Sequence, residues 1–411
     1  MTASLPNLRH MRVFVETARR GSVSKAAEAC LLSQPAATQA LARLEDEVGT
    51  PLLTRRARAF ATTDCGALFL PRVEAALEHL HAGARIALKG SGARRAAFDH
   101  LVTAAQLRAL VAVAASGSFT IAARELGLSQ PSVHRAARSL EEVAGVPFFQ
   151  PTATGLDLTP AAQAFVLGAK LAMTEIRQGM EEIGRELGDD RGTFTLGSLP
   201  LARTTIVPRA THRMISSTQG VQIRVVDGRY DELLRSLREG DLDCLIGALR
   251  NPSPAEDVTQ EALFLDELSI VAHPRHPLAG RDKVSVEETL AYPWVAPPKT
   301  TPAGTYLYET LRIQDRPRTP VRVVSSSMVM LRGILAQGDY ISIVSRHQIS
   351  TEERDGHIVP LAVPLENNIR AIGLTYRSSW RPTATQARFL DLLRESSLAA
   401  VPDADENMSR E

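Results

Sequence analysis

One block of this 411-residue chain occurs twice, and the repetition constrains its fold more than any other feature. Gly21-Ser22, Ala26-Ala27, Ser33-Gln34-Pro35, Leu44-Glu45, Gly49 and Pro51 recur 96 residues later. The counterparts are Gly117-Ser118, Ala122-Ala123, Ser129-Gln130-Pro131, Leu140-Glu141, Gly145 and Pro147. The stretches 12–53 and 108–149 align without a gap and share 16 of 42 positions. An internal repeat reports a repeated supersecondary unit. Two copies are too few for a solenoid, so the chain reads as two similar helical modules in series.

Each copy opens with an apolar helical pattern: Met11, Phe14, Val15 and Ala18, then Leu107, Leu110, Val111 and Ala114. Gly21 and Gly117 end that helix, and Ser22 and Ser118 cap a short Ala-rich second one. Ser33 and Ser129 then cap a third, with proline in its first turn, where a missing N–H has no intrahelical partner anyway. It stops at Gly49 or Gly145. Two helices joined by a short turn form a helix-turn-helix, whose second helix offers its N-terminal side chains to base edges in the major groove. The candidates in copy one are Ser33, Gln34, Pro35, Ala36, Thr38, Gln39 and Arg43. Glutamine pairs with adenine edges, and threonine or alanine methyls touch thymine methyls. In copy two they are Ser129, Gln130, Ser132, His134, Arg135 and Arg138. Leu31 stands where copy two has Gly127, so a left-handed turn there is strained in copy one by roughly 1 kcal/mol.

Charge separates the copies. Residues 1–95 hold 14 Lys/Arg against 8 Asp/Glu, a net of +6, and residues 96–190 hold 7 against 11, a net of −4. After Pro51-Leu52-Leu53 comes a basic run with Arg55 and Arg58, suited to a wing on backbone phosphates. The same places in copy two carry Pro151 and Thr154. Each copy continues into a long helix with an apolar stripe at three- and four-residue spacing, the seam of a helix pair. Leu70, Val73, Leu77, Leu80 and Ala84 form the first stripe. Val166, Ala169, Met173, Ile176 and Met180, extended by Ile183 and Leu187, form the second.

From Arg191 the pattern changes to alternating strands and helices. Thr193–Gly197, Val221–Val226, Asp243–Ala248, Val321–Ser325 and Ile341–Ser345 read as buried strands, with helices at Tyr230–Arg238 and Met328–Gln337. Such alternation predicts parallel sheets covered on both faces. Two longer extended stretches, Glu261–His273 and Asn368–Arg377, divide the region into two lobes with a cleft between them. Ligands of open α/β sheets bind beyond the carboxyl ends of strands. The candidates there are Ser198 at a strand end, Thr300 and Thr301 before Pro302, Ser325 and Ser326 before a third helix, and Arg250, which can pair with a carboxylate. His273 and His276 read as surface residues, not metal ligands.

The order of parts in 8–90 and again in 104–188 resembles the N-terminal domain of LysR-type transcriptional regulators. The matching signals are Gly-Ser, Ala-Ala, Ser-Gln-Pro, Leu-Glu, Gly-x-Pro, the arginines of the basic run and a linker helix. The family normally carries one such module per chain, so the duplication departs from its pattern. The stretches RGTFTLGSLP, LREGDLDCLIG, HPRHPLAG, YPWVAPP and GDYISIVSRHQI resemble the family's effector-binding domain, which is similar to periplasmic solute-binding proteins. The resemblance implies a multi-domain chain with two α-helical winged helix-turn-helix modules and long linker helices, then an α/β two-lobed effector domain. The bounds are 1–66 and 67–92 for the first module and linker, 100–162 and 163–188 for the second, 191–397 for the effector domain, and 398–411 for a disordered tail. It implies double-stranded DNA, a small-molecule effector (a sugar, sugar acid or aromatic acid), a homo-oligomer and RNA polymerase as partners, and no cofactor.

Other classes find little support. No phosphate loop, dinucleotide fingerprint, zinc-protease motif or nucleophile elbow stands in a fitting context, so an enzyme is not expected. Cys30, Cys65 and Cys244 are far apart, without metal or disulfide spacing, and read as reduced thiols of a cytoplasmic protein. The first residues lack the pattern of a signal peptide, and no apolar run approaches the roughly 20 residues a membrane span needs. The competing reading is a constitutive DNA-binding protein without a small-molecule ligand.

Overall fold

The computed structural model describes residues 5–56, 59–89, 98–152, 155–315 and 319–398. Arg58 and Thr154 lie outside these residues, as does the expected tail beyond Leu398. The chain divides into two compact units, Met1–Gly192 with Glu239–Asp241, and Thr193–Arg238 with Leu242–Glu411. No helix among the described residues is long and apolar enough to cross a membrane.

In the first unit each copy forms three helices and a two-stranded hairpin. Copy one has α1 (Leu8–Arg20), α2 (Val23–Ala29), α3 (Gln34–Val48), β1 (Leu53–Arg56) and β2 (Ala59–Thr62), followed by the long α4 (Asp64–Ala87). Copy two has α5 (Ala104–Ser116), α6 (Phe119–Leu126), α7 (Gln130–Ala144), β3 (Phe149–Thr152) and β4 (Gly155–Leu158), then α8 (Pro160–Glu186). Both long helices start a few residues before the bounds expected from the sequence.

The repeated residues are the ones that set these boundaries. Ser33 and Ser129 accept the amides of Ala36 and Ser132, capping α3 and α7. Gly21 and Gly117 end the first helices at φ +62° and +61°. The Leu-Glu pair has a tertiary role. Glu45 Oε1 accepts the amides of Leu52 and Leu53 at 2.8 and 3.0 Å, and Glu141 Oε1 accepts those of Phe148 and Phe149 at the same distances. A charge on the third helix thus fixes where each hairpin begins.

One continuous core runs through both copies and both long helices. Phe14 packs on Phe69 with ring centres 6.1 Å apart, and Phe98 packs on Phe165 at 4.8 Å. Each of these fully buried rings contributes roughly 2–3 kcal/mol of transfer free energy. The helices α4 and α8 lie antiparallel, with Phe69 against Gly179 and Gly83 against Phe165. Their seam follows the expected stripes in part: Val73, Leu80, Ala84, Val166, Ala169, Ile176 and Ile183 are buried. Leu70, Leu77, Met173 and Met180 are only half-buried and Leu187 is exposed, while Phe69, Arg72, Ala76 and Phe165 are buried.

The second unit holds β5 (Thr193–Ser198), α9 (Ile206–Ser216), β6 (Gln222–Val226), α10 (Tyr230–Arg238), β7 (Cys244–Ala248), β8 (Val258–Ala272), α11 (Val286–Thr289), β9 (Trp294–Ala296), α12 (Pro302–Thr305) and β10 (Val321–Val324). Then follow α13 (Met328–Leu335), β11 (Ile341–Ser345), α14 (Ser350–Arg354), β12 (Val359–Pro360), β13 (Ile369–Arg377) and α15 (Ala384–Leu398). The strand order is β10-β9-β11-β8-β13-β7-β5-β6. Pairing is parallel within β6-β5-β7 and within β10-β9-β11, as expected. The long strands β8 and β13 run antiparallel to their neighbours, which corrects the all-parallel expectation. Strand β8 carries the crossing: Val258–Glu267 pairs with β13, and Leu268–Ala272 with β11. A core around Phe194, Phe389 and Trp380 lies on one side, and one around Trp294, Leu307 and Ile341 on the other. The stretch read as a buried strand at Val221–Val226 forms the sheet edge, with Val225 43% and Val226 37% exposed.

Candidate functional site

The third helix of copy one buries Ala37, Ala40, Leu41 and Leu44 and turns its other side outward. Ser33, Gln34, Pro35, Thr38, Gln39 and Arg43 are exposed on that side, and Ala36 is half-buried. Thr38 spends its hydroxyl proton on the Gln34 carbonyl at 3.0 Å, leaving its methyl and lone pairs for a partner. On the hairpin, Arg55 is exposed, and so is Arg56, the next residue of the same basic run. These groups form a polar and basic surface without a carboxylate partner for Arg43, Arg55 or Arg56 among the described residues.

Copy two repeats the frame with different chemistry. Ser129, Gln130, His134, Arg135 and Arg138 are exposed and Ser132 is half-buried, its hydroxyl 2.8 Å from that of Ser129. Arg138 is committed within the module: it pairs with Glu141 at 2.6 Å, the carboxylate that also holds the hairpin. His134 lies edge-on to Phe119, with ring centres 5.0 Å apart. Arg135 is the one basic group of the three with no such engagement among the described residues.

In the second unit a cleft of about 1130 Å³ opens among the strand ends. Thr300, Thr301, Ser325, Ser326 and Arg250 line it; Ser198 does not. Ser198 is fully buried and donates to its neighbour's carbonyl, Leu199 O, at 3.3 Å, so Leu199 faces the cleft instead. Thr301 caps α12 by accepting the Gly304 amide at 3.1 Å, and Ser327 caps α13.

Four arginines line the cleft. Arg229 is exposed and has no carboxylate partner among the described residues, and the other three differ in what neutralises them. Arg203 pairs with Asp227 at 2.7 Å. Arg370 pairs with Asp266 at 3.1 Å, and Asp266 is held further by the Ser345 hydroxyl at 2.7 Å. Burial pushes the Arg370 pKa down, against the pull of Asp266. Arg250 has no carboxylate partner among the described residues. Its guanidinium lies 4.3 Å over the Tyr230 ring, and Gln260 clamps its backbone amide and carbonyl at 2.8 and 2.9 Å. Arg370, on β13, is a cleft residue that the sequence pattern does not single out.

The histidines before α11 are not both on the surface. His276 is 4% exposed, packs on Tyr292 with ring centres 4.4 Å apart, and accepts the Leu278 amide. It fills a core position, for which a Pro-flanked extended segment gave no periodic signal.

Comparison with known proteins matches both halves of the chain. The family described as "Bacterial regulatory helix-turn-helix protein, lysR family" matches residues 8–67 and again 104–163, and the family described as "LysR substrate binding domain" matches 187–397. Over 393 residues the chain is 31% identical to the HTH-type transcriptional regulator GalR of Pseudomonas putida, covering 95% of this chain and 97% of that protein. It is 26% identical over 299 residues to the regulator PcaQ of Agrobacterium fabrum, covering 73% and 96%. A full-length OxyR variant from Pseudomonas aeruginosa superposes with a TM-score of 0.52 at 19% identity, over 71% of this chain and 93% of that one, a likeness of fold alone. These relatives are regulators, not enzymes. With its second half matched throughout and its first half matched twice, the chain belongs to the LysR family of DNA-binding transcriptional regulators.

Proposed function

We propose that this regulator senses a small carboxylic acid, a sugar acid or an aromatic acid, in the cleft of its second unit, and binds double-stranded DNA through two winged helix-turn-helix modules, mainly the first. The observation that carries the sensing role is Arg250. A guanidinium facing a cleft without a carboxylate is stabilised by an anionic ligand, and its planar fork suits bidentate pairing with a carboxylate. The hydroxyls of Thr300, Ser325 and Ser326 suit the remaining oxygens of such a ligand. A neutral sugar would leave Arg250 unmatched. The ligand shifts the arrangement of the lobes only as far as its affinity differs between arrangements.

Isothermal titration of the full chain with a panel of sugar acids, aromatic acids and the matching neutral sugars tests this. One acid is expected to bind, and Arg250→Ala to weaken it by about 2 kcal/mol or more, the scale of a broken charge-assisted pair. If no acid binds, or if binding is indifferent to Arg250→Ala, the constitutive reading gains and the anion reading fails.

A further inference from the structure

The repeat is broken at one place in the helix pair, and the break has a direction. Adding 96 to an α4 position gives its α8 twin, so Phe69 matches Phe165 and Gly83 matches Gly179. The packing obeys that exchange. Phe69 and Arg72 lie against Gly179, while Phe165 and Gly168, their twins, lie against Gly83. In backbone terms the two helices are interchangeable.

The side chains are not. Arg72 is 4% exposed; its guanidinium meets Glu175 at 3.0 Å and Glu182 at 2.9 Å, and donates to Gln178 at 3.1 Å. Burial works against the Arg72 charge, and these carboxylates more than offset it. At the other end the twin of Arg72 is Gly168, set against the His79 backbone, and the twins of Gln178 and Glu182 are Ala82 and Ile86. In the same geometry two α4 helices would each bring Arg72 to His79, Ala82 and Ile86, with no carboxylate for either. Two α8 helices would bring Glu175 and Glu182 to Gly168 at both ends. Like pairs therefore bury charge with no opposite partner, which is strongly destabilising, whereas the unlike pair gives both carboxylates a guanidinium. A polar group at one seam position is a known means of fixing which helices pair.

We propose that Arg72, Glu175 and Glu182 are specificity determinants that commit α4 to the α8 of its own chain, so that one polypeptide closes the two-module unit by itself. Tethering favours the intrachain partner over a second copy, since a linked partner is present at an effective concentration in the millimolar range. The proposal is independent of what the cleft binds.

Hydrogen exchange of the intact protein tests it across about a hundredfold dilution. Intrachain pairing predicts the same protection of α4 and α8 amides at every concentration. Arg72→Glu is expected to lower that protection about tenfold or more, and the charge-swapped Arg72→Glu/Glu175→Lys/Glu182→Lys chain to return it to within about threefold. If Arg72→Glu does not fold, the triple variant carries the test, and its folding supports the proposal. Protection that falls on dilution overturns the intrachain pairing, and a triple variant no better than Arg72→Glu overturns the role of the charges.

Discussion

Leu31 occupies a backbone position that suits glycine. Its φ is +55°, its counterpart Gly127 has φ +65°, and its side chain is 93% exposed. An L-residue there carries roughly 1 kcal/mol of steric strain, and an exposed side chain recovers little by burial. Leu31→Gly is therefore expected to stabilise the first unit by roughly 0.5–1 kcal/mol in denaturant titration, and Gly127→Leu to destabilise it by a similar amount. The basic side chains of the two copies make a second residue-scale prediction. Arg55→Ala with Arg56→Ala is expected to weaken operator binding and to reduce its salt slope by about one for each phosphate that is no longer neutralised. His134→Ala with Arg135→Ala should cost less, because His134 already packs on Phe119 and only Arg135 is left to neutralise a phosphate. Gel-shift titrations over a range of salt separate the pairs, and equal weakening by both would refute the ranking of copy one over copy two.

Two helix glycines with opposite roles test how the elements pack. A Cβ on Gly168 would lie 2.5 Å from the His79 carbonyl oxygen, at the crossing of α4 and α8, and no side chain can yield there. Gly168→Ala should push the helices apart and cost about 2–3 kcal/mol. Gly333, in α13, has nothing within 4 Å of its would-be Cβ. Gly333→Ala should raise stability by about 0.5–1 kcal/mol, the difference in helix propensity. Calorimetry of both variants checks the signs. The seam also shows where sequence reading loses power. An apolar stripe at helical spacing located both long helices, but Arg72 lies inside the seam, and periodicity of apolar residues cannot report a buried charge whose partners are 103 and more residues away. The same limit explains the cleft. Strand and helix spans such as Tyr230–Arg238 and Ile341–Ser345 were legible, because local patterning sets them. That β8 and β13 are antiparallel, that β6 is an exposed edge, and that Arg370 rather than Ser198 faces the cleft depend on pairing between distant segments. Trp294–Ala296 was missed as a strand because three residues between prolines carry no readable period.

Acid should destabilise both compact units, each through one histidine. Burial holds the His10 imidazole of the first unit below its usual pKa of 6.5, with Arg43 and Arg9 acting in the same sense and Glu47 against. Burial does the same to His276 in the second unit, against the pull of Asp339. A group whose folded pKa is lowered binds fewer protons when folded than when unfolded over the interval between the two values. Stability then rises with pH across that interval, is fully present above the unfolded value, and declines as pH falls below 6.5. The two histidines belong to different units, so their effects add. Thermal midpoints are expected to fall between neutral pH and about pH 5, and His10→Gln/His276→Gln to flatten that fall, since glutamine keeps a polar side chain without a proton to bind. A double variant with the wild-type pH profile would assign the acid sensitivity to the carboxylates instead.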